Sequence, residues 1–103
     1  MTELIKGTTP THVFKVPLES AQIQNVEITY SQSDEEAFRK GVSDCVIEDY
    51  KISVQLKQED TLKLNHKKKV QIQIRVRTVN GEVMSSRVIQ REVEQCLSGE
   101  VLE

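Results

Sequence analysis

The chain has 103 residues, of which 37% are hydrophobic and 29% charged, and its formal net charge at pH 7 is −2. This size fits one domain with one core. The near balance of charge excludes the basic excess of a general nucleic-acid binder and the acidic excess of a disordered chain. We expect a single domain over residues 1–103, with residues 1–11 forming an extended N-terminal segment and residues 97–103 a flexible tail.

The first half of the chain predicts short strands separated by turns. Residues 12–16 predict a first strand that ends at Pro17, with Phe14 and Val16 on one face. Residues 25–32 predict a second strand, which ends in a polar turn. Residues 36–40 predict a third strand, with a short helix as the alternative, because two apolar side chains stand there among charges.

The middle of the chain predicts a hairpin and a crossover. Residues 45–48 and 50–56 predict two strands joined around Glu48 and Asp49. On the second strand, the alternation predicts one buried face made of Tyr50, Ile52, Val54 and Leu56. Residues 57–62 include the acidic pair Glu59–Asp60, and leucines follow at positions 62 and 64, which predicts one helical turn crossing between two sheets.

The strongest strand signal lies in residues 70–76, where every second residue is aliphatic. The dipeptide Asn80–Gly81 then predicts a two-residue hairpin turn with positive φ at both central positions. In the returning strand the apolar residues change parity between Met84 and Ile89, which predicts a β-bulge near residues 85–88.

Together these elements predict an all-β fold, an immunoglobulin-like antiparallel β-sandwich of about seven strands with one short helical crossover. A small open β-barrel is the alternative. Immunoglobulin domains proper pack a Trp against a disulfide, whereas this chain has no Trp and only 4% aromatic residues. The prediction therefore concerns the architecture and not membership of that family.

The cysteine and histidine residues predict neither a metal site nor a cofactor site. Cys45 and Cys96 form no CxxC motif and do not cluster with His12 or His66. We expect two buried reduced thiols, with a Cys45–Cys96 disulfide as the alternative.

Acidic pairs occur at Glu35–Glu36, Glu48–Asp49 and Glu59–Asp60. Adjacent carboxylates on a strand point to opposite faces, so they do not converge as an acid and a base. We interpret these pairs as solubilising charge, and we expect no enzymatic activity.

Two surface features are candidates for binding. The basic run His66–Lys69 could contact phosphate, but it has no interleaved aromatic residues and follows acidic Glu59 and Asp60, so a solvated turn is favoured and no nucleic-acid partner is expected. The polar row between the aliphatic residues of the strongest strand is the better candidate, because two arginines on a flat polar face suit an acidic or carbohydrate partner. This candidate interaction face consists of Gln71, Gln73, Arg75 and Arg77.

Four segments resemble small uncharacterised proteins encoded by phages and prophages of Gram-positive gut bacteria, and the resemblance extends over most of the chain. These segments are 6–11, 28–32, 56–63 and 70–76 with the Asn80–Gly81 hairpin. The resemblance implies a virion structural protein of the tail or connector region, and it carries over no site residue.

From this resemblance we expect a non-enzymatic structural or adaptor protein of the tail, baseplate or connector region. It would be assembled in the bacterial host cytoplasm and would contact other virion proteins, and copies of itself, through its sheet surfaces. One alternative is a binding module for a host-surface glycan or protein. Another is a small cytosolic phage regulator. No window approaches the roughly 18 apolar residues of a membrane span and the N-terminus lacks a signal-peptide core, so no membrane partner is expected.

Overall fold

A computed structural model describes residues 4–103, which form ten strands and one α-helix. The strands are β1 (Leu4–Ile5), β2 (Thr11–Lys15), β3 (Ile23–Gln32), β4 (Glu35–Gly41), β5 (Cys45–Glu48), β6 (Lys51–Gln55), β7 (Val70–Thr78), β8 (Val83–Ser85), β9 (Ile89–Arg91) and β10 (Val93–Glu94). The helix α1 spans Gln58–Leu62, and two 3₁₀ turns span Ser20–Gln22 and Val42–Asp44.

The strands form two main antiparallel sheets. The larger sheet has the order β4-β3-β7, and both β8 and β9 pair with the far edge of β7. The smaller sheet has the order β2-β6-β5. A short parallel pair of β1 and β10 joins the two ends of the described chain.

One hydrophobic core lies between the two sheets. Strand β7 supplies five of its inward side chains, each at most 5% exposed: Val70, Ile72, Ile74, Val76 and Thr78. The opposing sheet contributes Phe14, Ile52 and Val54 to the same cluster. The period-two pattern of the sequence thus becomes two apolar faces that bury each other.

The predicted sandwich architecture is confirmed, because the strands form two separate open sheets that do not close into a barrel. The strand order differs from that of an immunoglobulin domain, in which the second strand pairs with the first and fifth. Here β3, the second of the long strands, lies in the larger sheet between β4 and β7.

The predicted third strand and the predicted helical crossover are both confirmed. Residues 36–40 lie within β4, so the short-helix alternative is wrong. Helix α1 follows β6 of the smaller sheet and leads to β7 of the larger sheet. Its last turn is anchored by Thr61, whose hydroxyl donates a hydrogen bond to the Thr8 carbonyl at 2.9 Å.

The hairpin at Asn80–Gly81 is confirmed, but its predicted turn type is wrong. Only Gly81 has a positive φ, of 89°. The Gly81 N–H donates to the Thr78 carbonyl at 3.0 Å, and the Thr78 N–H donates to the Glu82 carbonyl at 2.8 Å. The loop therefore has three residues and ends in a left-handed glycine, as in a type I turn with a G1 bulge. The turn with two positive φ values is Ser33–Asp34, at 50° and 64°.

The hairpin between β5 and β6 turns one residue later than predicted. Glu48 pairs with Lys51, so the turn residues are Asp49 and Tyr50. Tyr50 has a φ of 64° and is 55% exposed. The prediction that Tyr50 lies on the buried face with Ile52 is therefore wrong, because the turn removes it from the alternation.

The predicted bulge in the returning strand is confirmed. Arg75 pairs with Ser85 and Ile72 pairs with Ile89, so the interval on the returning strand is one residue longer than the interval on β7. The extra residue separates β8 from β9 and explains the change of parity in the sequence.

The start of the described chain is ordered by pairing with β10. The expected N-terminal segment 1–11 includes β1, in which Leu4 is 2% exposed and pairs with Val93. The first three residues of that segment lie outside the described part of the chain. Among residues 4–103, no helix has the length and apolar character needed to cross a membrane.

Candidate interaction face

The four residues of the candidate interaction face lie together on the outer surface of the larger sheet. They occupy alternate positions of β7, between side chains that point into the core. Gln71 and Gln73 are half-buried, whereas Arg75 and Arg77 are exposed. The two arginines therefore present their charge to solvent at the same end of the strand.

Strand β3 places a second polar row beside the first. Across the ladder, Ser31 lies opposite Gln71, Thr29 opposite Gln73, Glu27 opposite Arg75 and Asn25 opposite Arg77. The face is thus flat and polar over four rungs, with one carboxylate near its centre.

Glu27 connects three strands through ion pairs on this face. Its carboxylate lies 3.7 Å from Nη1 of Arg75 and 3.2 Å from Nη1 of Arg39 on β4. Arg39 also lies 2.6 Å from Glu36 Oε1, and the hydrogen bond to Glu36 raises the pKa of the Arg39 guanidinium. Exposed pairs of this kind contribute little stability, but they compensate the charge of Arg75 and Arg39.

The remaining arginine, Arg77, is not compensated in this way. Within residues 4–103, no carboxylate lies within ion-pair distance of its guanidinium. Together with Asn25, Glu27, Arg75 and Val83, Arg77 lines a shallow depression of about 140 Å³. This corner of the face therefore holds two guanidinium groups and one carboxylate, and its net positive charge suits an acidic group on a partner.

Gln73 has a structural role on the same face. Its Nε2 donates to the Ser86 carbonyl at 3.0 Å, within the bulge between β8 and β9. Ser86 in turn accepts a hydrogen bond from the Ile74 N–H through its hydroxyl, at 3.1 Å. Of the four predicted residues, Gln73 is thus committed to holding the irregular edge of the sheet.

No family model, curated protein or solved structure matches the chain. The face is therefore interpreted from its own chemistry.

The face carries no aromatic side chain. The chain has two Tyr, two Phe and no Trp. Phe14, Tyr30 and Phe38 are buried between the sheets, and Tyr50 lies at the turn between β5 and β6. The stacking platform that sugars or bases usually require is thus absent from this surface.

The basic run His66–Lys69 forms the loop before β7. It lines an open depression of about 480 Å³ together with Glu92 and Glu94. The side of the depression formed by Glu92 and Glu94 is acidic, so this surface carries charges of both signs. The absence of a nucleic-acid partner stays a prediction.

The acidic pairs are not all solubilising charge, and this interpretation is wrong for Asp60. Its carboxylate Oδ2 lies 2.5 Å from Nζ of Lys40, and both side chains are 10% exposed. Asp49 also has a structural contact, since its Oδ1 accepts a hydrogen bond from the Ser20 N–H at 2.8 Å. That hydrogen bond lowers the pKa of Asp49.

Lys40 and Asp60 belong to a buried column of polar and aromatic side chains that the sequence analysis missed. His12 Nδ1 lies 2.7 Å from the Tyr30 hydroxyl. The Tyr30 ring stacks on Phe38 with centroids 4.4 Å apart, and the Lys40 ammonium lies 6.0 Å from the Phe38 centroid. The sequence signal for this column was the alternation of side chains along each strand, which places His12 on the same face as Phe14 and Lys40 on the same face as Phe38.

Burial changes the acidity of this column. Burial raises the pKa of Tyr30 far above its usual value, with further contributions from the charges of Cys45 and Asp60. Tyr30 therefore stays protonated at neutral pH, and its hydroxyl can donate a hydrogen bond to His12 Nδ1 or accept one from it. This hydrogen bond links β2 of one sheet to β3 of the other.

The cysteines are free thiols, each partly buried. Cys45 Sγ donates to the Gly41 carbonyl at 3.3 Å. Among residues 4–103, His, Cys, Asp and Glu form no group of three or more that could hold a metal ion.

Proposed function

We propose that the protein is a non-enzymatic structural or adaptor protein of a phage or prophage particle, placed in the tail, baseplate or connector region. It binds neighbouring virion proteins through its sheet surfaces. The resemblance of the sequence to small phage and prophage proteins supports a location in the particle. The exposed guanidinium of Arg77, which has no ion-pair partner among residues 4–103, supports the outer face of the larger sheet as the contact surface.

The outer face of the larger sheet is suited to a protein partner. It is flat, it spans β3 and β7, and its arginines present planar donors that pair with carboxylates in two-point geometry. Arginine is also enriched at protein interfaces. In a ring of identical copies, one such contact per subunit repeats around the assembly, so that weak contacts add up.

The decisive experiment counts the chain in purified particles. Quantitative peptide mass spectrometry on particles of the phage or induced prophage that encodes it should give a fixed copy number relative to the major capsid and tail proteins. Absence from mature particles and from assembly intermediates would overturn the proposal.

The surface is tested by complementing a deletion of the gene with variants. Arg75→Ala/Arg77→Ala should lower incorporation into particles at least tenfold, because it removes both guanidinium groups from the face. The matched control is Lys15→Ala/Lys51→Ala, which removes two cations that lie opposite each other on the smaller sheet. Equal incorporation of the two double variants would exclude this face as the contact.

The alternative of a glycan-binding module has less support, because the aromatic side chains lie elsewhere. A glycan array with the wild type and Arg75→Ala/Arg77→Ala separates the two functions. Specific binding that the double variant loses would favour the binding module over the structural protein.

A further inference from the structure

The backbone of Leu102, near the C-terminus, is held by the side chain of Gln58 at the start of α1. Gln58 Nε2 donates to the Leu102 carbonyl at 2.9 Å, and Gln58 Oε1 accepts from the Leu102 N–H at 2.7 Å. An amide side chain offers one donor and one acceptor side by side, as a neighbouring β-strand does. Gln58 therefore binds an extended peptide segment through its main chain.

A second glutamine side chain in the molecule makes the same pair of hydrogen bonds, but to an internal segment of the chain. Gln32 donates to the Asn65 carbonyl at 2.8 Å and accepts from the Asn65 N–H at 2.9 Å. That contact holds an internal connection between α1 and β7, which leads directly into the core strand. At Gln58 the bound segment follows the last strand and contributes no residue to the hydrophobic core.

The bound C-terminal segment leaves its apolar side chains in water. Leu97 is 98% exposed, Leu102 is 82% exposed and Val101 is 42% exposed. Beside Gln58, an open depression of about 460 Å³ is lined by Thr9, Gln55, Leu56, Lys57 and Glu59, with no residue of the C-terminal segment in its lining. The intramolecular contact thus satisfies the main chain of the segment but buries little of its apolar surface.

We propose that in the assembled state the Gln58 site receives the C-terminal segment Leu97–Glu103 of a second copy of this chain. The occupant is defined by the contact itself, because a second copy brings the same peptide and forms the same two hydrogen bonds. Exchange of an identical element between copies needs no new recognition chemistry. Between copies, the apolar side chains of the segment also gain a second protein surface to cover them.

This contact is heterologous, since the C-terminal segment of one copy meets α1 of the next. Such contacts generate a closed ring or an open filament, depending on the rotation between neighbours. The tethered segment competes for its own site at an effective concentration on the order of a millimolar. Exchange therefore occurs where copies are concentrated, and it does not depend on whether the assembly is a virion.

Two complementary full-length variants test the exchange. Gln58→Ala removes the site and keeps the segment, whereas Leu102→Pro removes the N–H donor and keeps the site. Each variant alone should sediment as a monomer in analytical ultracentrifugation. Their equimolar mixture should form a one-to-one heterodimer at concentrations up to about a millimolar. A mixture that stays monomeric throughout this range would overturn the proposal.

Matched controls separate the contact from general effects of the substitutions. Gln55→Ala changes an exposed glutamine nearby that does not contact the segment, and Val101→Pro places proline one residue earlier. Mixing Gln58→Ala with Gln55→Ala/Leu102→Pro should still give the heterodimer, because the second protein keeps Gln58 and cannot fill the site with its own segment. Mixing Gln58→Ala with Val101→Pro should give at least tenfold less, because the site of Val101→Pro is still occupied by its own segment. Equal association in that mixture would contradict the role of the Leu102 N–H.

A peptide probe gives an independent measurement if a variant associates for other reasons. A fluorescent peptide with the sequence of residues 97–103 should bind Leu102→Pro at least tenfold more tightly than it binds the wild type, whose site is occupied. It should not bind Gln58→Ala/Leu102→Pro. Equal binding of the peptide to all three proteins would show that Gln58 does not form the binding site. Particle counting would still decide the proposed function separately.

Discussion

The ammonium of Lys40 on edge strand β4 lies 2.5 Å from the carboxylate of Asp60 in α1, with both side chains 10% exposed. Asp60 Oδ2 also accepts the Lys57 N–H at 2.9 Å, so one carboxylate caps the helix and pairs with the edge strand. The pair thus fixes the crossover between the two sheets against the rim of the larger sheet.

Removing one partner of this pair should destabilise the protein strongly. Asp60→Asn leaves the Lys40 ammonium buried without its counter-charge, and breaking a buried pair in this way costs about 3–5 kcal/mol. The measurement is the free energy of unfolding from urea denaturation. Glu59→Gln, at the exposed neighbouring position, is the matched control and should change it by less than about 0.5 kcal/mol. Lys40→Met/Asp60→Leu should recover much of the loss, since replacing both charges removes their desolvation cost. A double variant as unstable as Asp60→Asn would contradict this origin of the loss.

The same pair predicts a loss of stability in acid. Burial alone would raise the pKa of Asp60, but hydrogen bonds from Lys40 and the Lys57 N–H, with the charges of Lys40 and Lys63, lower it below its usual value. A lowered folded-state pKa stabilises the fold above the unfolded pKa of 3.8, and this contribution is lost as the pH falls through the folded value. The free energy of unfolding should therefore fall below about pH 4.

Asp→Asn variants identify the group that causes the acid dependence. Asp60→Asn should flatten the fall in stability below about pH 4. Asp49→Asn should flatten it much less, because Asp49 also has a lowered pKa but is fully exposed to screening by solvent. Equal slopes for the wild type and Asp60→Asn would exclude Asp60 as the source.

Much of the fold follows from local patterns in the sequence. Strands β3, β6 and β7 alternate with period two, and the change of parity around Ser86 marks the bulge. The predictions that failed concern the position and type of the turns, because several neighbouring residues could form each turn. Tyr50 has a left-handed backbone that tyrosine rarely adopts, and its N–H donates to the Leu18 carbonyl at 2.8 Å. This distant contact, absent from any local pattern, stabilises the turn.

The candidate interaction face could also be predicted in part, from the alternation of side chains along one strand. Alternation alone places Gln71, Gln73, Arg75 and Arg77 on one face. It does not show that Gln73 holds the bulge or that Glu27 neutralises Arg75, because both contacts depend on which strands are neighbours. The Gln58–Leu102 contact joins residues 44 positions apart, and no periodicity reports such a pair.

Gly81 should be required for its backbone conformation and not for space. A Cβ at Gly81 would meet nothing within 4 Å, but its φ of 89° is unfavourable for alanine. Gly81→Ala should lower the free energy of unfolding by about 1 kcal/mol, the cost of a left-handed non-glycine residue less the entropy gained in the unfolded chain.

Gly41 provides the matched control for Gly81. Its Cβ would also meet nothing within 4 Å, but its φ of −105° is extended. Gly41→Ala should leave the thermal midpoint unchanged or raise it, while Gly81→Ala lowers it. A fall of the same size in both variants would show that the φ of Gly81 is not the cause.

Cys45 should react slowly with alkylating reagents in the folded protein. Burial raises the pKa of its thiol, and the negative charge of Asp44 raises it further. Because the thiolate is the nucleophile, a raised pKa slows alkylation. Mass-spectrometric mapping at mildly alkaline pH should show Cys45 modified more slowly in the native than in the urea-unfolded protein. Asp44→Asn should speed up modification of the native thiol. Identical native and unfolded rates would contradict its burial.

The hydrogen bond between Tyr30 and His12 should make the protein sensitive to alkali. Because burial raises the pKa of Tyr30, the unfolded chain loses this proton first, so the stability present below pH 10.0 falls as the pH rises above that value. Tyr30→Phe removes a buried hydrogen bond and should cost about 1–3 kcal/mol at neutral pH, yet its stability should fall less steeply between about pH 9 and 11. Tyr50→Phe is the matched control, since Tyr50 is exposed and should leave most of the slope in place. The assignment to Tyr30 would be wrong if Tyr50→Phe abolished the fall in stability between about pH 9 and 11 and Tyr30→Phe preserved it.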